Sequence, residues 1–144
     1  MATEKTANAT WEGTLAEGSG RFSLGSGAVT DQGVTWSDRA EGGEGTSPEE
    51  LIAGAHASCV LMALAGALAR AKTPPTKLES EAKATFDKVG EGFAITKMEL
   101  RIRGEVDGID EDTFRQAAEG AKENCPVSQA LKGNVEVTLD ASLA

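Results

Sequence analysis

Apolar residues alternate with polar ones near the N-terminus and again beyond residue 77, but between these regions they fill one long uncharged stretch. Three short segments, TWEGTLAE, GRFSLGS and GVTWSD, are strand-like and separated by glycine-containing turns, which predicts a small antiparallel meander over residues 10–38. After the Gly/Glu-rich loop EGGEGT, the stretch TSPEELIAGAH signals a helix start. Ser47 suits the N-cap, Pro48 the first helical position, and Glu50 completes a Ser-x-x-Glu capping box. This helix is expected to run to about Ala71 and to stop before TPPT.

Further on, Leu78, Ala82, Ala84 and Phe86 point one way and Glu79, Glu81 and Lys83 the other, as in a half-buried strand. GEG then turns the chain into FAITKMELRIRGEV. There Phe93 and Ile95 occupy odd positions, but Met98, Leu100 and Ile102 occupy even ones. That change of phase implies a bulge near Thr96–Lys97. IDEDTFRQAAEGAKEN reads as a second helix, PVSQALK as a short third one ended by Gly133, and VEVTLD as a closing strand. The expectation is an α+β fold in a single domain, residues 1–144, with sheet segments around a long buried central helix.

Composition narrows the function. The 40 % apolar and 26 % charged content is that of a soluble globular protein. A formal charge of −9 with no cluster of Lys and Arg excludes nucleic acid and anionic membranes as partners. Leu51–Ala69 is long enough to span a bilayer, yet its many alanines, with His56, Ser58 and Cys59 among them, make it only weakly hydrophobic and fit a buried helix better. The opening MATEKTANATWEG has no apolar core of a secretory signal, so a cytoplasmic location is expected. A domain of this size rarely hides so apolar a helix on all sides. Two copies packed as a symmetric homodimer would do so.

Two cysteines remain to be explained, Cys59 and Cys125. A permanent structural disulfide does not suit the cytoplasm, which leaves either reactive thiols or buried, inert ones. Cys125 begins the PVSQALK helix, where the dipole favours thiolate. Cys59 sits well inside an apolar helix, where desolvation opposes ionisation, so a reactive Cys59 needs positive charge from elsewhere. The helix itself offers only His56, one turn back. A Cys59–His56 pair would suit a thiol hydrolase, and with Cys125 a three-ligand metal site. The first lacks an orienting Asn or Asp, the second any close ligand spacing, so no metal and no cofactor is expected. The loop EGGEGT could pass for a phosphate cradle, but its glutamates would repel phosphate.

The stretches RAEGGEGTSPEELIAGAHASCVLMAL, DKVGEGFAITKMEL and NCPVSQALKGNVEVTLD together resemble the OsmC/Ohr family of thiol peroxidases, and its OsmC branch more than its Ohr branch. The resemblance runs from Trp11 to the last strand. It implies an intertwined homodimer with Cys59 as peroxidatic cysteine and Cys125 as resolving cysteine. Arg39 matches the arginine that polarises thiolate and peroxide, and Glu49 the glutamate that holds it. One departure is Ala40, where a bulky apolar residue is expected at the rim of the site. Without the resemblance, Arg39 is a solvated charge on a polar loop, and Glu49 and Glu50 answer to the helix dipole.

The resemblance therefore implies a cofactor-free reductase of organic hydroperoxides, acting more weakly on hydrogen peroxide, with an external dithiol of lipoyl type as reductant. The apolar run VLMALAGAL beside Cys59 agrees with this, because an alkyl tail gains roughly 0.8 kcal/mol per buried methylene. The competing readings are a non-enzymatic stress or ligand-binding protein with inert thiols, and a cysteine hydrolase. Glu49 and Cys59 lie about 15 Å apart along a straight helix and roughly 80° around it. One guanidinium serving both requires either a helix break near Gly54 or a contribution of Arg39 and Glu49 from the partner subunit. The second is the expectation.

Overall fold

The computed structural model describes all residues, Met1–Ala144, and their contacts group them into two compact units, Met1–Pro48 and Glu49–Ala144.

In the first unit, β1 (Ala7–Glu12), β2 (Ser19–Leu24) and β3 (Gln32–Val34) form the expected antiparallel meander in that order. The strand expected to run on through Asp38 instead ends at Val34, and a short helix follows, α1 (Trp36–Ala40). Its cause is a cap. The Thr35 hydroxyl accepts from Asp38 N–H and donates to the Asp38 carboxylate at 2.7 Å, so threonine and aspartate close the first turn on each other.

The glycine-rich loop then folds back on the same aspartate. Gly45 N–H donates to Asp38 Oδ1 at 2.8 Å, and a Cβ at Gly43 or Gly45 would collide with Asp38. Close approach to Asp38 is thus what two of the loop's glycines serve. The Thr35 and Gly45 hydrogen bonds hold the Asp38 carboxyl below the usual aspartate range.

The second unit is built on α2 (Pro48–Arg70), followed by β4 (Lys77–Val89), β5 (Gly92–Glu105), α3 (Glu111–Asn124), α4 (Pro126–Leu131) and β6 (Glu136–Leu143). Its sheet has the order β4-β5-β6. The first pair is an antiparallel hairpin, and β6 lies parallel to β5, with α3 and α4 making the crossover that parallel pairing needs. α2 ends where Lys72 turns left-handed (φ 65°), Lys72 N–H reaching Ala69 O and Thr73 N–H reaching Leu68 O.

The change of phase in β5 is a bulge. Thr85 pairs with Lys97 and Phe86 with Ile95, which leaves Thr96 without an opposite residue. On one side of it Met98, Leu100 and Ile102 enter the core; on the other the Phe86 and Phe93 rings stack with centroids 5.2 Å apart. The core joins those β5 residues to Val60, Leu64 and Leu68 of α2 and to Phe114, Ala118 and Ala121 of α3. Gly104 makes room for Phe114: a Cβ there would stand 2.6 Å from two ring carbons.

One face of α2 is buried, carrying Glu49, Ala53, His56, Val60, Leu64 and Leu68. The long helix is therefore not covered on all sides within one chain: Leu51 and Met62 are exposed, Met62 at 75 %. By length and apolarity α2 could cross a membrane, but it carries a glutamate and a histidine on its buried face.

Candidate functional site

The sequence CPVSQ determines how the chain passes through Cys125. A residue before proline avoids helical ψ, so α3 must stop there, and Pro126 can only open a new helix. Cys125 accordingly takes φ −57° and ψ 128°, and serves as C-cap of α3 and N-cap of α4 together. Its N–H reaches Ala121 O at 2.8 Å and its carbonyl accepts from Gln129 N–H at 3.0 Å. This pinned corner buries the Cys125 side chain completely, whereas Cys59, on α2, is half-buried.

The structure brings these two cysteines together as free thiols, with the Cys59 S–H hydrogen-bonded toward the Cys125 sulfur. Burial, and then that hydrogen bond, push the Cys59 thiol up, with Val127 N–H opposing. Burial also works against ionisation of Cys125. It is outweighed by the Cys59 hydrogen bond and by the Ser128 N–H, the Ser128 hydroxyl and the Val127 N–H, which hold Cys125 below the ordinary thiol range. None of these amounts to a regular capping hydrogen bond to the Cys125 sulfur. Of the two thiols, Cys125 is therefore the one that local interactions favour as the anion.

His56 does not pair with Cys59. It is fully buried, and its Nε2 lies 2.7 Å from Ser128 Oγ. Burial lowers its pKa and keeps the ring neutral. The Cys59–His56 dyad that a thiol hydrolase would use is absent, and no three His, Cys, Asp or Glu side chains converge as a metal site.

Of the other expected site residues, Glu49 is buried in the first turn of α2, and Arg39 is exposed in the last turn of α1, in the first unit. Ala40 follows it, also exposed. α2 runs unbroken past Gly54, which removes a helix break there as a way of bringing Glu49 and Cys59 together. Ser128 was not singled out by sequence reasoning. Its only signal was its place three residues after Cys125 in CPVS.

The OsmC-like protein family model matches residues 41–140. The peroxiredoxin OsmC of Escherichia coli (strain K12) is 45 % identical over 143 residues, covering 99 % of each chain. The organic hydroperoxide resistance protein of Xanthomonas axonopodis pv. citri (strain 306) is 34 % identical over 99 residues, or 68 % of each chain. Among solved structures, the organic hydroperoxide resistance protein OhrB of Bacillus subtilis superposes with a TM-score of 0.75 at 28 % identity, over 95 % of this chain and 98 % of that one. An organic hydroperoxide resistance protein from Elizabethkingia anophelis gives a TM-score of 0.78 at 26 % identity, over 100 % of both chains. With the family match spanning both cysteines and this kinship extending over the full length, the chain belongs to the OsmC-like protein family.

Proposed function

We propose that this protein is a cysteine-based peroxidase that reduces organic hydroperoxides, and hydrogen peroxide more weakly, to alcohols or water in defence against oxidative and osmotic stress. The observation that carries the reading is the thiol pair of unequal access: half-buried Cys59 against fully buried Cys125. The names of the relatives, peroxiredoxin and organic hydroperoxide resistance protein, point the same way.

Access supports the proposed roles, although electrostatics within the pair favours Cys125 as the anion. Cys59 is only half-buried, which supports it as the peroxidatic residue. Its thiolate attacks the distal peroxide oxygen, the O–O bond breaks, and the alkoxide leaves and takes up a proton as the alcohol. Cys59 is left as a sulfenic acid. Cys125 thiolate then attacks the Cys59 sulfur, expelling hydroxide and forming the Cys59–Cys125 disulfide. An external dithiol, of lipoyl type by the resemblance, reduces it.

For Cys59 to carry the charge, nearby positive charge must favour loss of its own proton. Arg39 is proposed as the cation that does so, its planar guanidinium donating to sulfur and peroxide oxygen together, with Glu49 holding it. The protein is proposed to work in the cytoplasm as a homodimer of single OsmC-like domains, residues 1–144, supported by the full-length match and by the apolar surface α2 leaves uncovered. Arg39 and Glu49 are proposed to serve the Cys59 of the partner subunit.

Intact mass after one equivalent of tert-butyl hydroperoxide tests the reading. Loss of two hydrogens is expected, with release of the alcohol. No change in mass would mean inert thiols, and an acyl adduct formed from an ester would mean a hydrolase.

A further inference from the structure

Two groups the proposed reaction does not use are connected to its thiols. His56, fully buried on α2, meets Ser128 through Nε2 and Oγ at 2.7 Å, and Ser128, buried in the first turn of the helix that Cys125 caps, is among the groups that lower the Cys125 thiol. A buried hydrogen bond thus joins His56 to Ser128, and Ser128 acts on Cys125, which acts in turn on Cys59.

The direction of that hydrogen bond follows from what His56 lacks. Its other nitrogen, Nδ1, is buried and has no hydrogen-bond partner. In a neutral ring one nitrogen carries the proton. Were it Nδ1, a buried N–H donor would stand unsatisfied, and the Ser128 hydroxyl would spend its proton on Nε2. With the proton on Nε2, the orphan at Nδ1 is only an acceptor, the more tolerable defect, and the Ser128 hydroxyl is left to donate elsewhere. The acceptor before it is the Cys125 sulfur.

We propose that His56 and Ser128 are positioning residues: His56 Nε2–H fixes the Ser128 hydroxyl as a donor to the Cys125 sulfur and so promotes the steps in which Cys125 bears charge. This rests on the peroxidase reading. Two steps qualify. In the first, Cys125 thiolate attacks Cys59 sulfenic acid, the S–O bond breaks, and hydroxide leaves to become water. In the second, a thiolate of the external dithiol attacks the Cys59 sulfur, the S–S bond breaks, and Cys125 thiolate departs with the electron pair. A leaving thiolate that is better stabilised leaves faster. The second thiol of the dithiol then attacks its own mixed disulfide and releases Cys59 as thiolate.

Other charged groups beside Ser128 are Lys122 and Glu123 of α3 and Lys132 just past α4. Lys122 is paired with Glu119 at 3.3 Å and Glu123 at 3.7 Å. From α2 the group that meets Ser128 is His56.

The test is Ser128→Ala, which removes one oxygen, with Ser128→Thr as the rescue. In rapid-mixing experiments with tert-butyl hydroperoxide, the alcohol burst reports Cys59 and the following disulfide formation reports Cys125. Loss of a hydrogen bond to a charged group predicts disulfide formation and dithiothreitol reduction each slower by roughly tenfold in Ser128→Ala, with the burst rate kept. The pH midpoint of disulfide formation should rise, and Ser128→Thr should restore both rates and midpoint. His56→Leu should slow the same two steps less, because the hydroxyl survives but is no longer aimed. Thiolate absorbance, titrated in a Cys59→Ala background with and without Ser128→Ala, should show the same upward shift for Cys125 alone. Diamide-oxidised protein reduced by dithiothreitol, and that titration, need no peroxidase activity, so they separate this inference from the reading it rests on. Unchanged midpoints and reduction rates in Ser128→Ala would overturn it.

Discussion

His56 and Ser128, far apart in sequence, share a 2.7 Å hydrogen bond inside the protein, and it joins the central helix α2 to the helix that begins at Cys125. The imidazole is held in its neutral form by burial. That single interaction ties a pH dependence of stability to the position of Cys125.

Stability should therefore fall on mild acidification. His56 has a folded-state pKa below its unfolded value of about 6.5, so above that pH both states are neutral and its contribution is complete. As pH drops below about 6.5 the unfolded chain takes up a proton that the folded one refuses, and stability declines until the folded pKa is reached. Urea denaturation between pH 8 and pH 5, compared with His56→Gln, measures this. The slope should largely vanish in the variant; an equal slope in both would assign it to other groups.

Replacing Cys59 by Ser should abolish peroxide reduction, because a hydroxyl is scarcely ionised at neutral pH. Cys125→Ser should complete one turnover, then stop, leaving Cys59 open to over-oxidation to sulfinic acid. Dimedone trapping followed by peptide mass mapping locates the first sulfenic acid. Finding it on Cys125 in the unaltered protein would reverse the assignment of the two thiols.

Arg39→Ala and Cys59→Ser proteins should each be inactive. Mixed and allowed to exchange subunits, they should recover activity, since a heterodimer would hold one site with both residues intact. Arg39→Lys should stay well below the unaltered enzyme, because an ammonium lacks the planar pair of donors. If verified heterodimers remain inactive, the arginine serves its own chain.

Gly104→Ala should destabilise the second unit. The added Cβ would lie 2.6 Å from the Phe114 ring, itself fully buried, and such overpacking costs about 1–3 kcal/mol. Thermal unfolding followed by circular dichroism should show a midpoint lower by several degrees. Gly104→Ala with Phe114→Leu should be less destabilised than the sum of the two single changes.

Local rules accounted for much of the fold. Pro48 marked the start of α2, the parity of Ile95 against Met98 located the Thr96 bulge, and Cys125-Pro126 marked the break between α3 and α4. α1 was missed because its Thr35–Asp38 closure lies among residues that alternate like a strand. Each of these features depends on backbone sterics, side-chain period or a cap within a few residues, and such interactions are written in consecutive letters.

The environment of the thiols was not. From the chain alone, Cys125 was favoured as thiolate by its helix start, and His56 could have served Cys59 because both lie on one face of α2. Tertiary packing decided otherwise for the histidine, which it turned to Ser128, and it set the unequal burial of the two sulfurs. Which sulfur a peroxide can reach, and which one the hydrogen bonds favour as an anion, depend on desolvation and on donors from segments remote in sequence. Those quantities exist only once α2, α3 and α4 have packed, and no local pattern encodes them.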